Sequence, residues 1–162
     1  CTNSEAENFN EIANSDDGSC EFICLDHDLS IYTDLWGYET SWVLIKNQDT
    51  ISSIPIGSYA NQTIYNYSFC LTEGCYSFVI SDTYGDGIEG YDNTSNDDGN
   101  YFILDGDNNI VIEMLELNFG YQESQLFCVE IIEGCTDNNA NNFNPNANFS
   151  VYWVKHLKGH LT

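Results

Sequence analysis

The chain has 162 residues, 42% of them hydrophobic and 14% aromatic, enough apolar material for one packed domain of ordinary size plus a small module. Against 26 Asp and Glu stand three Lys and no Arg, a formal charge of −23 at pH 7 that repels polyanions and so excludes nucleic acid and anionic membrane surfaces as partners. Seven cysteines without zinc-type CxxC pairs predict disulfides and an oxidising, extracellular or cell-surface setting.

No signal peptide, lipidation motif or membrane-spanning run is visible, so membrane insertion is not expected. The chain opens on a cysteine and reads as a mature or excised piece. Residues 1–20 are polar and close on Asp16-Asp-Gly-Ser-Cys20, a segment with strong turn chemistry and little to bury. A Cys1–Cys20 disulfide around Phe9 and Ala13 would hold it together, contributing roughly 3 kcal/mol in the chain-entropy account. Residues 1–23 are therefore read as a disulfide-bound linker module.

Residues 24–132 change to short β-rich runs separated by Gly, Asn, Asp and Ser, without a helical apolar period. Strands are predicted at Leu29–Thr33, Ser41–Lys46, Thr50–Ile54, Ile64–Leu71, Cys75–Ser81, Tyr101–Leu104, Ile110–Leu115 and Gln125–Ile131. This pattern predicts an all-β domain, a two-sheet sandwich of jelly-roll type rather than an immunoglobulin domain. The expected core is Trp42, Phe78, Ile80, Phe102, Leu104, Ile112 and Phe127. Cys70 and Cys75 flank a Gly-containing turn and suit a cross-hairpin disulfide, which leaves Cys24 and Cys128, near the first and last strands, as the remaining natural pair. The sequence does not prove this pairing, because six cysteines allow many connectivities.

Residues 133–149 start a second module. Cys1–Asn14 returns as Cys135–Asn148 with eight of fourteen positions identical. A spacing of 134 residues is too long for a solenoid unit of roughly 20 to 50 residues, so the repeating object is a domain plus its connecting module. The repeat places a partner for Cys135 at position 154, where Val154 stands. Residues 150–162 form an atypical tail carrying two of the three lysines, with His156 and His160; no ligand role is assigned to them. It reads as a true C-terminal tail, an engineered or frameshifted end, or a misassigned stretch.

The strongest local motif is Ser81-Asp-Thr-Tyr-Gly-Asp-Gly-Ile88, which runs into the acidic, amide-rich loop Glu89–Gly99. Calcium takes about six to eight oxygen ligands from carboxylates and carbonyls on a sharply turning chain. Asp82 and Asp86, the carbonyl of Ile88, and Asp92, Asp97 and Asp98 are the expected ligands, with Gly85 and Gly87 letting the backbone curl. The loop is not an EF-hand, since Tyr84 and Asn93 stand where that motif places acids. Acidic surface turns are also common without metal. Asp105-Gly-Asp-Asn-Asn109 reads as a hairpin turn and Asp16-Asp17 as a structural turn.

Catalysis finds no support. His27 is the one histidine outside the tail and reads as a surface residue beside Asp26 and Asp28; no GxSxG, HExxH or Cys/His arrangement occurs. No acid pair stands out in an apolar strand context of the kind that raises a carboxyl pKa. Trp36, Tyr38, Tyr84 and Tyr91 would form a sugar-stacking platform if exposed, although core or interface roles suit them equally. Asn61, Asn66, Asn93 and Asn148 head N-glycosylation acceptor patterns.

Gly134–Ala147, together with Cys1–Cys20, resembles a short repeat of secreted and surface proteins of Bacteroidetes and of some algal and giant-virus proteins. That repeat reads approximately Gly-Cys-Thr-Asp, two residues, Ala, one residue, Asn-Tyr-Asn-Pro, and later Asp-Asp-Gly-Ser-Cys. The first copy departs from it at Asn3 and Glu11. Gly74–Ile88 looks like a Cys-Tyr…Asp-Ser-Tyr-Gly-Asp-Gly-Ile segment of jelly-roll accessory domains in such proteins. The matched segments cover about a third of the chain, and the resemblance implies an extracellular, multi-domain, non-catalytic setting without identifying a ligand. The expected function is a calcium-stabilised structural or adhesive repeat subunit of a stalk, filament or adhesin. Its partners would be neighbouring copies, adjacent domains or surface glycans. The competing expectation is a carbohydrate-binding or accessory domain of a secreted hydrolase.

Overall fold

The computed structural model describes residues 1–4, 6–91 and 97–150. Contacts divide the chain into two compact units, Asp26–Val129 and a second formed by Cys1–Leu25 with the described residues from Glu130 onward.

The sandwich comprises β1 (Cys24–Tyr32), β2 (Thr40–Lys46), β3 (Asp49–Ile54), β4 (Ile64–Thr72), β5 (Gly74–Asp82), β6 (Asn100–Asp105), β7 (Ile110–Glu113) and β8 (Gln122–Val129). One sheet runs β4-β1-β6-β7 and the other β3-β2-β5-β8, giving the two-sheet, all-β architecture predicted from the strand pattern. Turn chemistry sets the hairpins. Asn47 and Gln48 both take positive φ, 51° and 75°, as a two-residue turn between twisted strands requires. The Asp105 carboxylate accepts the Asp107 and Asn109 amides at 3.0 and 2.8 Å, so that acidic turn is the expected hairpin connection.

Alternation along the strands fills the space between the sheets. Leu29 and Ile31 of β1, Trp42 and Leu44 of β2, Tyr76, Phe78 and Ile80 of β5, and Ile112 and Phe127 are buried, each such side chain contributing about 1.5–3 kcal/mol. Trp42 meets Tyr67 and Phe69 edge-on at 5.1 and 6.0 Å, and its Nε1 donates to the Tyr59 hydroxyl at 2.6 Å. Two expectations are corrected by the same alternation. Tyr101 and Ile103, not Phe102 and Leu104, are the inward residues of β6. Tyr101 goes in because its hydroxyl donates to Glu123 and accepts from Gln125 Nε2 at 2.7 Å, which satisfies the one polar atom that burial would strand. His27 is not a surface residue: it shares the inward face of β1 with Leu29 and Ile31, at 4% exposure.

Six cysteines are disulfide-bonded and Cys135 is free, which fits an extracellular or oxidising environment. Cys1 pairs with Cys20 as expected. Cys75, however, pairs with Cys128, overturning both the Cys70–Cys75 and Cys24–Cys128 expectations. The reason is topological. β4 and β5 belong to different sheets, so the turn between them is not a hairpin, and β1 and β8 also lie in different sheets. Cys75 and Cys128 sit directly opposite each other in the β5–β8 ladder. Cys24 and Cys70 are likewise disulfide-bonded.

In the second unit the sequence repeat is a structural repeat. Asn10 N–H to the Cys1 carbonyl, Ala6 to Asn3, Phe9 to Ala6 and Ala13 to Asn10 recur 134 positions later as Asn144 to Cys135, Ala140 to Asp137, Phe143 to Ala140 and Ala147 to Asn144. The side chains of Asn10 and Asn144 cap the same turn by accepting the amides of Ile12 and Asn146. A short parallel pair, β9 (Glu133–Gly134) with β10 (Phe149–Ser150), ends the described chain. Val154, His156 and His160 lie outside the described residues. Among those residues, no helix is long and apolar enough to cross a membrane.

Candidate functional site

β5 ends on Asp82, which stands opposite Thr40 in the β2–β5 ladder. Directly paired residues project to the same face, and both are buried, at 4% and 1% exposure. Beyond Asp82 the chain turns tightly on Gly85 and Gly87, whose φ values are +94° and +75°. A side chain at Gly85 would run into the Tyr121 ring, and one at Gly87 into the Leu117 carbonyl. The Asp82 carboxylate ties the turn by accepting the amides of Gly85 at 2.5 Å and Asp86 at 3.3 Å.

This turn brings three carboxylates together. Ligand oxygens of Glu39, Asp82 and Asp86 lie within 4.8 Å of one another. Glu39 arrives from the 3-10 turn Gly37–Glu39 immediately before β2. Asp34 adds a further buried acid, at 3% exposure, with one carboxylate oxygen accepting the Trp36 amide at 2.8 Å. Burial, and then the charges of Asp82, Asp86 and Glu39, push the Asp34 carboxyl up to about 6. Burial and the Asp82 charge also hold Asp86 above the usual carboxylate range.

Above the acids opens a cleft of about 440 Å³ lined by Trp36, Tyr38, Glu39, Tyr84, Asp86 and Tyr91, with Gly90. Tyr38, Tyr84 and Tyr91 are 49%, 74% and 83% exposed. Trp36 and Tyr91 are inclined at 58° with ring centroids 6.5 Å apart. All four aromatics expected to form a platform if exposed therefore line one cleft.

Of the expected cation ligands, the structure brings Asp82 and Asp86 together. The Ile88 carbonyl instead accepts the Gly99 amide at 2.8 Å. Asp98 accepts the Gly90 amide at 2.8 Å and Asp97 the Gln62 side-chain amide at 3.2 Å, so both brace the loop and stand outside the carboxylate group. Asp92 and Asn93 lie outside the described residues. Asn61 and Asn66 are exposed, whereas the Asn148 amide nitrogen donates to the Glu130 carbonyl at 2.7 Å. Sequence reasoning missed Asp34, Glu39 and Thr40. Their signal was the run Asp34-Leu-Trp-Gly-Tyr-Glu39, which interleaves acids and aromatics just before a strand.

The chain matches no family model, and neither a curated protein nor a solved structure shows significant similarity to it.

Proposed function

We propose that this chain is a non-catalytic extracellular adhesive domain whose end cleft takes carbohydrate. The observation that carries this reading is the convergence of Trp36, Tyr38, Tyr84 and Tyr91 on one cleft that also presents Glu39 and Asp86. Flat rings pack against the apolar faces of sugars, and carboxylates accept from sugar hydroxyls. The high negative charge favours neutral or cationic glycans over sulfated or sialylated ones.

A glycan array probed with the wild type, Trp36→Ala and Tyr91→Ala tests it. Binding to neutral glycans, weakened about tenfold or more by either substitution, supports the reading. Absence of glycan binding overturns it, and hydrolysis of a bound glycan overturns its non-catalytic part.

A second reading, a unit of a longer structural array, is supported by a separate observation. The two terminal modules share the same hydrogen-bonded turns at a spacing of 134 residues. A chain extended by one further copy would then unfold as a sum of nearly independent units; a single broad transition lacking unit-like steps would count against it.

A further inference from the structure

The Thr40 hydroxyl is buried and has no hydrogen-bond partner among the described residues. A buried hydroxyl left without a partner is costly, and this one projects on the same face as the Asp82 carboxylate across the ladder. It is thus an oxygen ligand in waiting beside a group of acids that repel one another. The Gly85 and Asp86 amides hold Asp82 in place, and the neighbouring charges of Asp82, Asp86 and Glu39 act on Asp34.

We propose that Glu39, Asp82 and Asp86, with the Thr40 hydroxyl, form a calcium site at the floor of the aromatic cleft, and that the bound ion presents open coordination positions to saccharide hydroxyls. Hard oxygen donors select a hard cation, and the charge of the group selects a divalent one. Oxygens within 4.8 Å of one another fit a calcium shell, whose ligands sit at about 2.3–2.6 Å from the ion. Magnesium asks for a tighter octahedron at about 2.0–2.1 Å and gives up its waters reluctantly. Glu39 and Asp86 belong both to the carboxylate group and to the cleft lining, so an ion held by them faces the cleft. Three carboxylate oxygens and the Thr40 hydroxyl leave about two to four of calcium's positions open, and vicinal hydroxyls can replace water there.

This inference rests on the cleft taking carbohydrate only for its second half, and the experiment separates the two. Calorimetric titration of the whole chain with calcium alone is expected to show one site, weakened at least tenfold in Asp82→Asn and in Thr40→Val. Asparagine keeps an oxygen for the Gly85 and Asp86 amides, and valine keeps the shape of threonine, so both variants are expected to fold; far-ultraviolet circular dichroism checks this. Absence of calcium binding by the wild type, or unchanged affinity in a folded Asp82→Asn variant, overturns the site whatever the glycan array shows. Array binding in calcium and in chelator then tests the bridge. Loss of glycan binding in chelator, restored by calcium, supports it, and equal binding in both overturns it while leaving the carbohydrate cleft standing. A chain that binds calcium and no glycan overturns the bridge and the carbohydrate reading but supports the site.

Discussion

Replacing Thr40 with valine in the cation-free protein should raise stability, the reverse of the usual result for deleting a buried polar group. Thr40 is 1% exposed and its hydroxyl has no partner among the described residues, so folding removes it from water with nothing in return. Valine keeps the β-branched shape and the strand preference of threonine, and the substitution removes a desolvation cost of about 1–3 kcal/mol. Across the unit Asp26–Val129, at roughly 5 °C per kcal/mol for a domain of about 100 residues, the thermal midpoint should rise about 5–15 °C. Urea unfolding in chelator, with the slope checked for constancy, gives the free energy directly. A fall of about 1 kcal/mol instead, the ordinary cost of losing a made hydrogen bond, would show that the hydroxyl has a partner and would refute the reasoning.

Two further predictions concern the frame around the site. Non-reducing peptide mapping should recover Cys75 linked to Cys128, and the double variant Cys75→Ser/Cys128→Ser should lose about 4 kcal/mol, given a separation of 53 residues; a recovered Cys24–Cys128 link would contradict the strand order. Burial, aided by Tyr67 and Glu123 respectively, raises the phenols of Tyr59 and Tyr101 above the ordinary tyrosine range. The folded state therefore keeps protons that the unfolded chain loses near pH 10, so stability should fall as pH rises through and beyond 10. Spectrophotometric titration should show these two tyrosines ionising only with unfolding; their ionisation in the folded protein at ordinary pH values would refute it.

The strand map was legible because the chain alternates cleanly and punctuates its strands with Asn, Asp and Gly. Asp105 announces its turn in sequence. What the sequence could not say was which strands share a sheet. That one missing fact misassigned two disulfides, because Cys70 and Cys75 are close in the chain but sit on strands of opposite sheets, whereas Cys75 and Cys128 meet through a ladder 53 residues apart. β6 was misread by one residue because Phe102 and Leu104 look more apolar than Tyr101, and only the polar pair Glu123 and Gln125 makes Tyr101 acceptable inside. The site was half legible. Asp82 and Asp86 lie in a conspicuous Asp-Gly loop, but Asp34, Glu39 and Thr40 come from a segment about 45 residues earlier and join them only through the β2–β5 register. The acids following Ile88 looked like ligands, yet Asp98 accepts the Gly90 amide within the loop and Asp97 accepts the Gln62 side-chain amide from outside it.

Terbium luminescence tests the joint claim of one cation and one aromatic cleft most directly, since the ion emits on ultraviolet excitation only when bound close to a tryptophan or tyrosine. The wild type should show sensitised emission that calcium competes away and that is largely lost in Asp82→Asn. No emission from the wild type, or undiminished emission from a folded Asp82→Asn variant, would contradict the placement of a cation among Glu39, Asp82 and Asp86.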